Sequence, residues 1–294
     1  MNNTTKYILA VGSLVSLSSV AQAEFEISGG YHSSYEFRGF DYGDDLREVG
    51  IDYTKELGNG FTFDIGAWTG RVNDESTDIS LGANSVFQGF FSEREEGAIF
   101  NTGGVKEFDI SVGVSKSIGV FDVRLGYLYR DLTIEGNRLS TGERIGGFST
   151  SEFSLGVNVD LAQNLELSAE YSYDIDAYEA GYLDVNLTQS FYITPNFQIA
   201  LTAGAAWSFD YNLDFRTDEP INEFNHYYIA VEAPWHVGSG FVVTPYLKYI
   251  GAGSDTLTTL DVSVSEINNT VVFNDINDFN DDYLLGGITL SYKF

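Results

Sequence analysis

Hydrophobic and polar positions alternate along most of the chain with a period of two. In the clearest run, Leu165, Leu167, Ala169, Tyr171, Tyr173, Ile175 and Ala177 share one face, while Glu166, Ser168, Glu170, Ser172, Asp174 and Asp176 share the other. A helix, with its 3.6-residue repeat, would mix the two sets, so the run predicts a strand. The same pattern predicts about 12 strands, near 25–37, 47–57, 61–71, 107–116, 121–130, 151–161, 165–177, 182–193, 197–210, 224–235, 241–250 and 283–294.

Their connections alternate in length. Short turns are expected at Gly58-Asn59-Gly60, Ser117-Ile118-Gly119, Ala162-Gln163-Asn164, Thr194-Pro195-Asn196 and Gly238-Ser239-Gly240, where Gly or Asn supplies positive φ values. Longer polar loops are expected near 38–46, 72–106, 131–150, 211–223 and 251–282, with a short link at 178–181. Short turns at one end and long loops at the other are the arrangement of outer-membrane barrels, whose turns face the periplasm. Pro245 conflicts with its surroundings. It falls inside a predicted strand of a sheet without edges, so a bulge or a break is expected there.

The two faces differ in chemistry. One carries 18 carboxylates across these segments, and the other carries none. A soluble sandwich also hides one face, so alternation alone does not specify a membrane. Aromatic placement adds to it: Phe61, Phe121, Phe197 and Phe241 begin segments after short turns on the apolar face, while Tyr35, Tyr129, Tyr173 and Trp207 lie toward the long-loop ends. Two aromatic rings around an aliphatic band match the two water–lipid interfaces. The chain closes on LLGGITLSYKF, with Tyr292 and Phe294 on the apolar face. This ending resembles the C-terminal strand of bacterial outer-membrane proteins, and the resemblance implies that Tyr292 and Phe294 form a signal read by the barrel-assembly machinery.

Composition narrows the function. The chain has no Cys, which removes disulfides, thiol nucleophiles and thiolate metal sites. A formal charge of -28 repels phosphate backbones and excludes nucleic acid as a partner. Residues 1–23 read as a signal peptide: Lys6, an apolar run from Tyr7 to Val20, and the small-residue site Ala21-Gln22-Ala23. Residues 24–294 then form a single all-β domain, a transmembrane antiparallel barrel in the bacterial outer membrane.

The stretch GGYHSSYEFRGFDYGDD, followed by VGIDYTKELGNGFTFDIGAWTG, resembles the opening of the TorF-like family of outer-membrane porins. The matching features are a strand ending in an aromatic-Arg-Gly element, here Phe37-Arg38-Gly39, and a hairpin with a Gly-rich turn. The resemblance covers residues 27–72 and the barrel layout, and it implies a channel. The long loop at 72–106 and the acidic loop near 274–282 are not part of it.

Candidate chemistry is sparse. His32 and Ser34 share a face, which resembles the His-x-Ser placement of outer-membrane phospholipases. Here the pair lies on the polar face rather than toward lipid, and the Asn-Gly element after the serine is missing. The oxygen-rich segment Asn274 to Tyr283 reads as a solvated acidic loop; the other reading is loose association with divalent cations that bridge to lipopolysaccharide phosphates. No phosphate-cradling glycine motif opens a helix, and no cofactor is expected.

The expected function is therefore a non-enzymatic, porin-like channel for passive diffusion of small hydrophilic solutes, in contact with outer-membrane lipid and lipopolysaccharide. Its expected pore-lining side chains are Glu36, Arg38, Asp64, Arg124, Arg130, Glu166, Glu170, Asp174, Asp184, Glu232 and Lys248. Arg38, Arg124 and Arg130 facing an acidic wall suggest a constriction with a transverse field. The excess of carboxylates over Arg124, Arg130, Lys248 and Lys293 predicts cation preference. A 12-strand barrel is wider than the side-chain-filled 8-strand kind and narrower than 16-strand porins, so a narrow pore partly occluded by the 72–106 loop is expected. The rival readings are a surface-interaction barrel without an open pore and an outer-membrane hydrolase using His32 and Ser34.

Overall fold

The computed structural model describes residues 23–72, 79–80, 100–138, 147–211, 213–214, 219–220, 222–252, 259–267, 270–280 and 282–294. The signal-peptide segment and most of the 72–106 loop lie outside the described residues. The described chain forms a closed antiparallel barrel of 12 strands. They are β1 (Ala23–Phe37), β2 (Phe40–Gly58), β3 (Phe61–Val72), β4 (Phe100–Ile118), β5 (Phe121–Arg138), β6 (Gly147–Ala162), β7 (Leu165–Asp174), β8 (Gly181–Thr194), β9 (Phe197–Phe209), β10 (Phe224–Glu232, resuming as Trp235–Gly238), β11 (Phe241–Ala252) and β12 (Asp282–Lys293). Each strand pairs with its sequence neighbours, and β12 returns to β1 in the register Ile27 opposite Tyr292. Beyond the last strand, Phe294 N donates to Phe25 O at 3.0 Å and Phe25 N to Phe294 O at 3.2 Å, completing the seam.

The apolar face is the outer one. Leu125 is 64% exposed, Ile229 58% and Ile51 46%, whereas Glu48, Glu107, Asp109 and Glu152 on the opposite face are buried. A water-soluble protein does not display a contiguous apolar surface of this kind while enclosing its charges. The surface fits hydrocarbon, and ring closure leaves no unpaired strand edge to face it. At the short-turn end, Phe25 stacks on Phe294 with centroids 5.7 Å apart, and Phe241 meets Tyr292 at 4.5 Å. These rings belong to the periplasmic aromatic belt. Because melting such a barrel requires breaking a continuous hydrogen-bond ladder, unboiled protein is expected to migrate anomalously in SDS gels and shift on heating. Recovery as a soluble periplasmic monomer would contradict the fold.

Several sequence expectations need correction. The 38–46 loop is instead strand: β2 begins at Phe40, paired with Phe37, and only Arg38-Gly39 turns. β4 and β5 extend well past the predicted ends, to Phe100 and Arg138. β7 ends at Asp174, not 177. The expected 251–282 loop contains a hairpin outside the barrel, Thr259–Ile267 with Thr270–Asn280, so the backbone of the acidic segment is mostly extended. Pro245 neither breaks β11 nor bulges it. Its carbonyl accepts from Ala233 N at 3.0 Å, and in an antiparallel ladder N and C=O of one residue face the same neighbour. The missing donor therefore points at β10, which is itself interrupted at Ala233-Pro234.

Candidate functional site

The end of the β1–β2 hairpin lies inside the mouth of the barrel, packed among buried side chains. Arg38 and Gly39 have φ values of 56° and 84°, the two left-handed positions of a type I′ turn. A register shift between Ser34 and Glu36 bends the ribbon just before this turn. The tip folds inward instead of projecting outside, and Phe37 and Arg38 are each 4% exposed. Tyr35, expected on the lipid face, is likewise buried, and its hydroxyl donates to Glu107 Oε2 at 2.6 Å.

The tip is fastened to the far wall. The Arg38 guanidinium pairs with Glu152 on β6 and lies 4.1 Å from the Tyr211 ring centroid and 4.8 Å from that of Tyr182. Tyr211 also donates to Glu152 Oε1 at 3.2 Å. Arg130 on β5 covers the Phe37 ring at 3.6 Å and pairs with Glu107 at 2.8 Å. Backbone acceptors of the tip are used as well: Asn225 Nδ2 donates to Arg38 O at 3.0 Å and Tyr283 Oη to Gly39 O at 3.2 Å. Around these polar contacts, Tyr35, Phe37, Leu46, Trp68, Tyr182 and Tyr211 form a small apolar core inside the mouth. An arginine in the left-handed region is uncommon and costs of order 1 kcal/mol or more. The surrounding contacts hold it there.

The expected lining residues divide into three groups. Arg38, Glu36, Arg130 and Lys248 belong to the crowded mouth, where Lys248 Nζ meets Glu36 Oε2 at 2.6 Å. Asp174 is fully enclosed: it accepts from Thr150 Oγ1 at 2.6 Å and from the backbone N–H groups of Asp176 and Tyr178 at 3.0 Å. Its carboxylate shapes the bend that replaces the expected end of the seventh strand, rather than facing open lumen. Asp184 accepts from Tyr228 Oη at 2.9 Å, on the neighbouring strand β8 opposite Glu170. The third group lies toward the periplasm. There Asp64, Arg124, Glu166 and Glu170 stand on the inner wall with Glu26 and Asp52, and Arg124 Nη2 reaches Asp64 Oδ2 at 2.6 Å. Gly113 leaves the space for that pair, since a Cβ there would collide with both side chains.

His32 is buried, with Nδ1 hydrogen-bonded to Tyr246 Oη at 2.8 Å and Nε2 facing Glu48 Oε1 at 3.0 Å without hydrogen-bond geometry. Both ring nitrogens face side chains other than Ser34, which is not the arrangement of a serine nucleophile and its base. A small cavity of about 50 Å³ lies beside it, between β1, β2 and β9–β12, with Glu36, Tyr35 and Leu46 toward its outer end and Glu232, Thr244 and Thr202 deeper in the barrel. Sequence reasoning placed Glu36, Glu232 and Lys248 on the inner face but did not bring them together. The signal that was available for the tip was Phe37-Arg38-Gly39-Phe40, a two-residue turn with Gly second between matching aromatics.

No family model matches the chain, and no curated protein is similar to it in sequence. Solved structures share its architecture. The translocator domain of autotransporter NalP from Neisseria meningitidis is 11% identical, with a TM-score of 0.52 over 99% of this chain and 95% of that one. An outer membrane channel from Pseudomonas putida F1 is 10% identical, with a TM-score of 0.49 over 94% and 97%. The NanC porin is 14% identical, with a TM-score of 0.44 over 92% and 100%. At such identities the likeness to NalP concerns the fold alone. Together with the apolar outer surface, it defines the class: a transmembrane β-barrel of the bacterial outer-membrane type.

Proposed function

We propose that the protein is a porin-like channel through which small hydrophilic solutes diffuse passively, with cations preferred over anions. The observation that carries this reading is the carboxylate-rich inner wall of a 12-strand barrel, formed in its periplasmic half by Glu26, Asp52, Asp64, Glu166 and Glu170. Charged side chains lining a narrow passage set its selectivity. On this reading the β1–β2 tip is the constriction, and the aromatic-Arg-Gly element that resembles TorF-like porins is its working part. Single-channel recording in planar bilayers, with a panel of blocking solutes, tests the proposal. Ion conductance that saturates with solute supports it; silent bilayers with correctly folded protein would favour a surface-interaction barrel, for which the packed mouth is the supporting observation.

The reading also assigns the last strand a role in assembly. Deleting Phe294 removes the Phe25–Phe294 pair of hydrogen bonds and the stacking of their rings. The expected result is reduced insertion into the outer membrane with export left intact, measured by membrane fractionation and heat-shift gels. Unchanged insertion would show that the terminal aromatic is not part of the assembly signal.

A further inference from the structure

We propose that the outer face of the barrel carries, at its long-loop rim, a binding site for the phosphorylated glycolipid of the outer leaflet, the lipid A part of lipopolysaccharide. Such a site depends only on the outer-membrane class of the fold, whether or not the lumen conducts. Its head-group end is a row of three cations. Arg47 on β2 stands directly opposite Arg71 on β3, and Arg71 directly opposite Lys106 on β4. All three are exposed and share the outward face with Val49, Ile65 and Phe108, whereas the adjacent Leu46, Glu48, Val72 and Glu107 are buried on the inner side. With neighbouring strands about 4.8 Å apart, the row spans about 10 Å. Like charges facing each other across a ladder repel, and an anion seated over all three turns that repulsion into attraction. The whole chain has 15 Lys and Arg against 43 Asp and Glu, so a local excess of positive charge runs against its composition.

The row lies at the height of a lipid phosphate. Phe61 and Lys116 face each other at the short-turn end, with Lys116 Nζ 4.3 Å from the Phe61 ring centroid. Arg71 and Lys106 are a register pair of the same two strands, ten residues further along each. Ten residues cover about 33 Å along a strand, and a tilt of about 40° reduces that to about 25 Å across the membrane, the height of the apolar band. The cations therefore mark the outer water–lipid boundary. Asp45, which accepts from the Tyr31 hydroxyl, borders the row on the β1 side, and Asp131 borders it on the β5 side. Together they confine the positive field to the middle of the row, above β3.

Beneath Arg71 the wall offers a seat for an acyl chain. Thr69 and then Ala67 follow it down β3, flanked in register first by Val49 and Phe108 and then by Ile51 and Ile110. Small side chains between larger ones leave a shallow furrow that leads from the cations into the hydrocarbon. Thr69 Oγ1 donates to Glu107 O at 2.9 Å, so its hydroxyl is already satisfied within the wall. Guanidinium groups hold phosphate through paired N–H donors, which suits the two arginines. A phosphate monoester on a sugar carries close to two negative charges at neutral pH, more than the diester of an ordinary phospholipid, and three cations favour the former. Free phosphate would lack the chains that fill the furrow.

Native mass spectrometry of the full-length barrel, refolded in detergent, is expected to show saturable binding of bis-phosphorylated lipid A. Lipid A stripped of its phosphates, and phosphatidylglycerol, should each bind about tenfold more weakly or worse. The triple variant Arg47→Gln, Arg71→Gln, Lys106→Gln should lose about tenfold or more in lipid A binding, with heat-shift gels confirming that the barrel is folded. Arg47→Lys with Arg71→Lys, which keeps the charge, should lose less. Lys55→Gln with Lys116→Gln, on the same face at the periplasmic belt, should leave binding within about twofold. Undiminished binding in the triple variant, or an equal loss in the Lys55 and Lys116 pair, would overturn the site. Equal binding of the stripped lipid or of phosphatidylglycerol, or displacement of lipid A by millimolar inorganic phosphate, would overturn the assignment of its ligand.

Discussion

Replacing Arg38 by alanine is expected to raise single-channel conductance several-fold and to shift the current from brief to long openings. Arg38 pairs the tip across the lumen with Glu152 of β6, and the two side chains are equally enclosed. Removing one member of a buried ion pair leaves the other uncompensated, at a cost of about 3–5 kcal/mol to the arrangement that buries it. The same substitution removes the stacking against Tyr182 and Tyr211. A loss of that size would move a two-state equilibrium between inward-folded and released tip by a factor of about 100 or more. Glu152→Gln should act in the same direction but less, because the amide still accepts from Arg38 and Tyr211. Arg38→Lys keeps the charge and loses the planar stacking, so it should fall between the two. The barrel wall does not depend on these contacts, and heat-shift behaviour should be preserved. Conductance that ignores Arg38 would mean that the tip does not control the conducting path.

Conversion of Glu166 and Glu170 together to glutamine is expected to move the reversal potential toward zero under a KCl gradient. The two side chains stand on β7, Glu166 near Asp160 and Asp122 and Glu170 near Arg124. Arg124 already compensates Asp64 at 2.6 Å, so the net field of this region depends on the remaining carboxylates. A low-dielectric wall focuses that field onto the water it surrounds. Screening weakens it as salt rises, since the Debye length shrinks from about 10 Å at 0.1 M to about 3 Å at 1 M. The cation preference proposed for the wild type should therefore fade between those concentrations, and the double variant should show little dependence. Asp174 serves as the control that separates surface charge from buried charge. Although it sits on the same face of β7, its carboxylate is enclosed by Thr150 and the bend at 176–178, so Asp174→Asn should perturb stability more than selectivity. An anion-selective pore, or selectivity unaffected by the pair, would show that these residues do not line the path.

Strand number, the central part of each strand and the identity of the two faces were legible in the chain, because side-chain direction in a strand alternates residue by residue and needs no distant partner. Leu165 to Asp174 illustrates it: every second residue points to lipid, and the others point inward. The short turns were legible for the same local reason. Less of the mouth was legible. The turn at Arg38-Gly39 could be read from its flanking phenylalanines, but its inward fold depends on a register shift between β1 and β2 and on walls contributed by β5, β6, β8, β9, β10 and β12. No local pattern encodes that Arg38 meets Glu152, 114 residues away.

The same limit applies to charge. Alternation by itself determined that the carboxylates face inward, since burying an apolar face in lipid leaves them no other direction. Only the closed barrel decided which of them are neutralised by Arg124, Arg130 and Lys248, which one shapes a bend, and which one, Glu232, is left facing a cavity. Partners across a lumen are set by register and by how far each strand is offset from the next, and a one-residue change in either alters every cross-barrel pairing. The period of a sequence is local, whereas the offset of a barrel is a property of the whole ring.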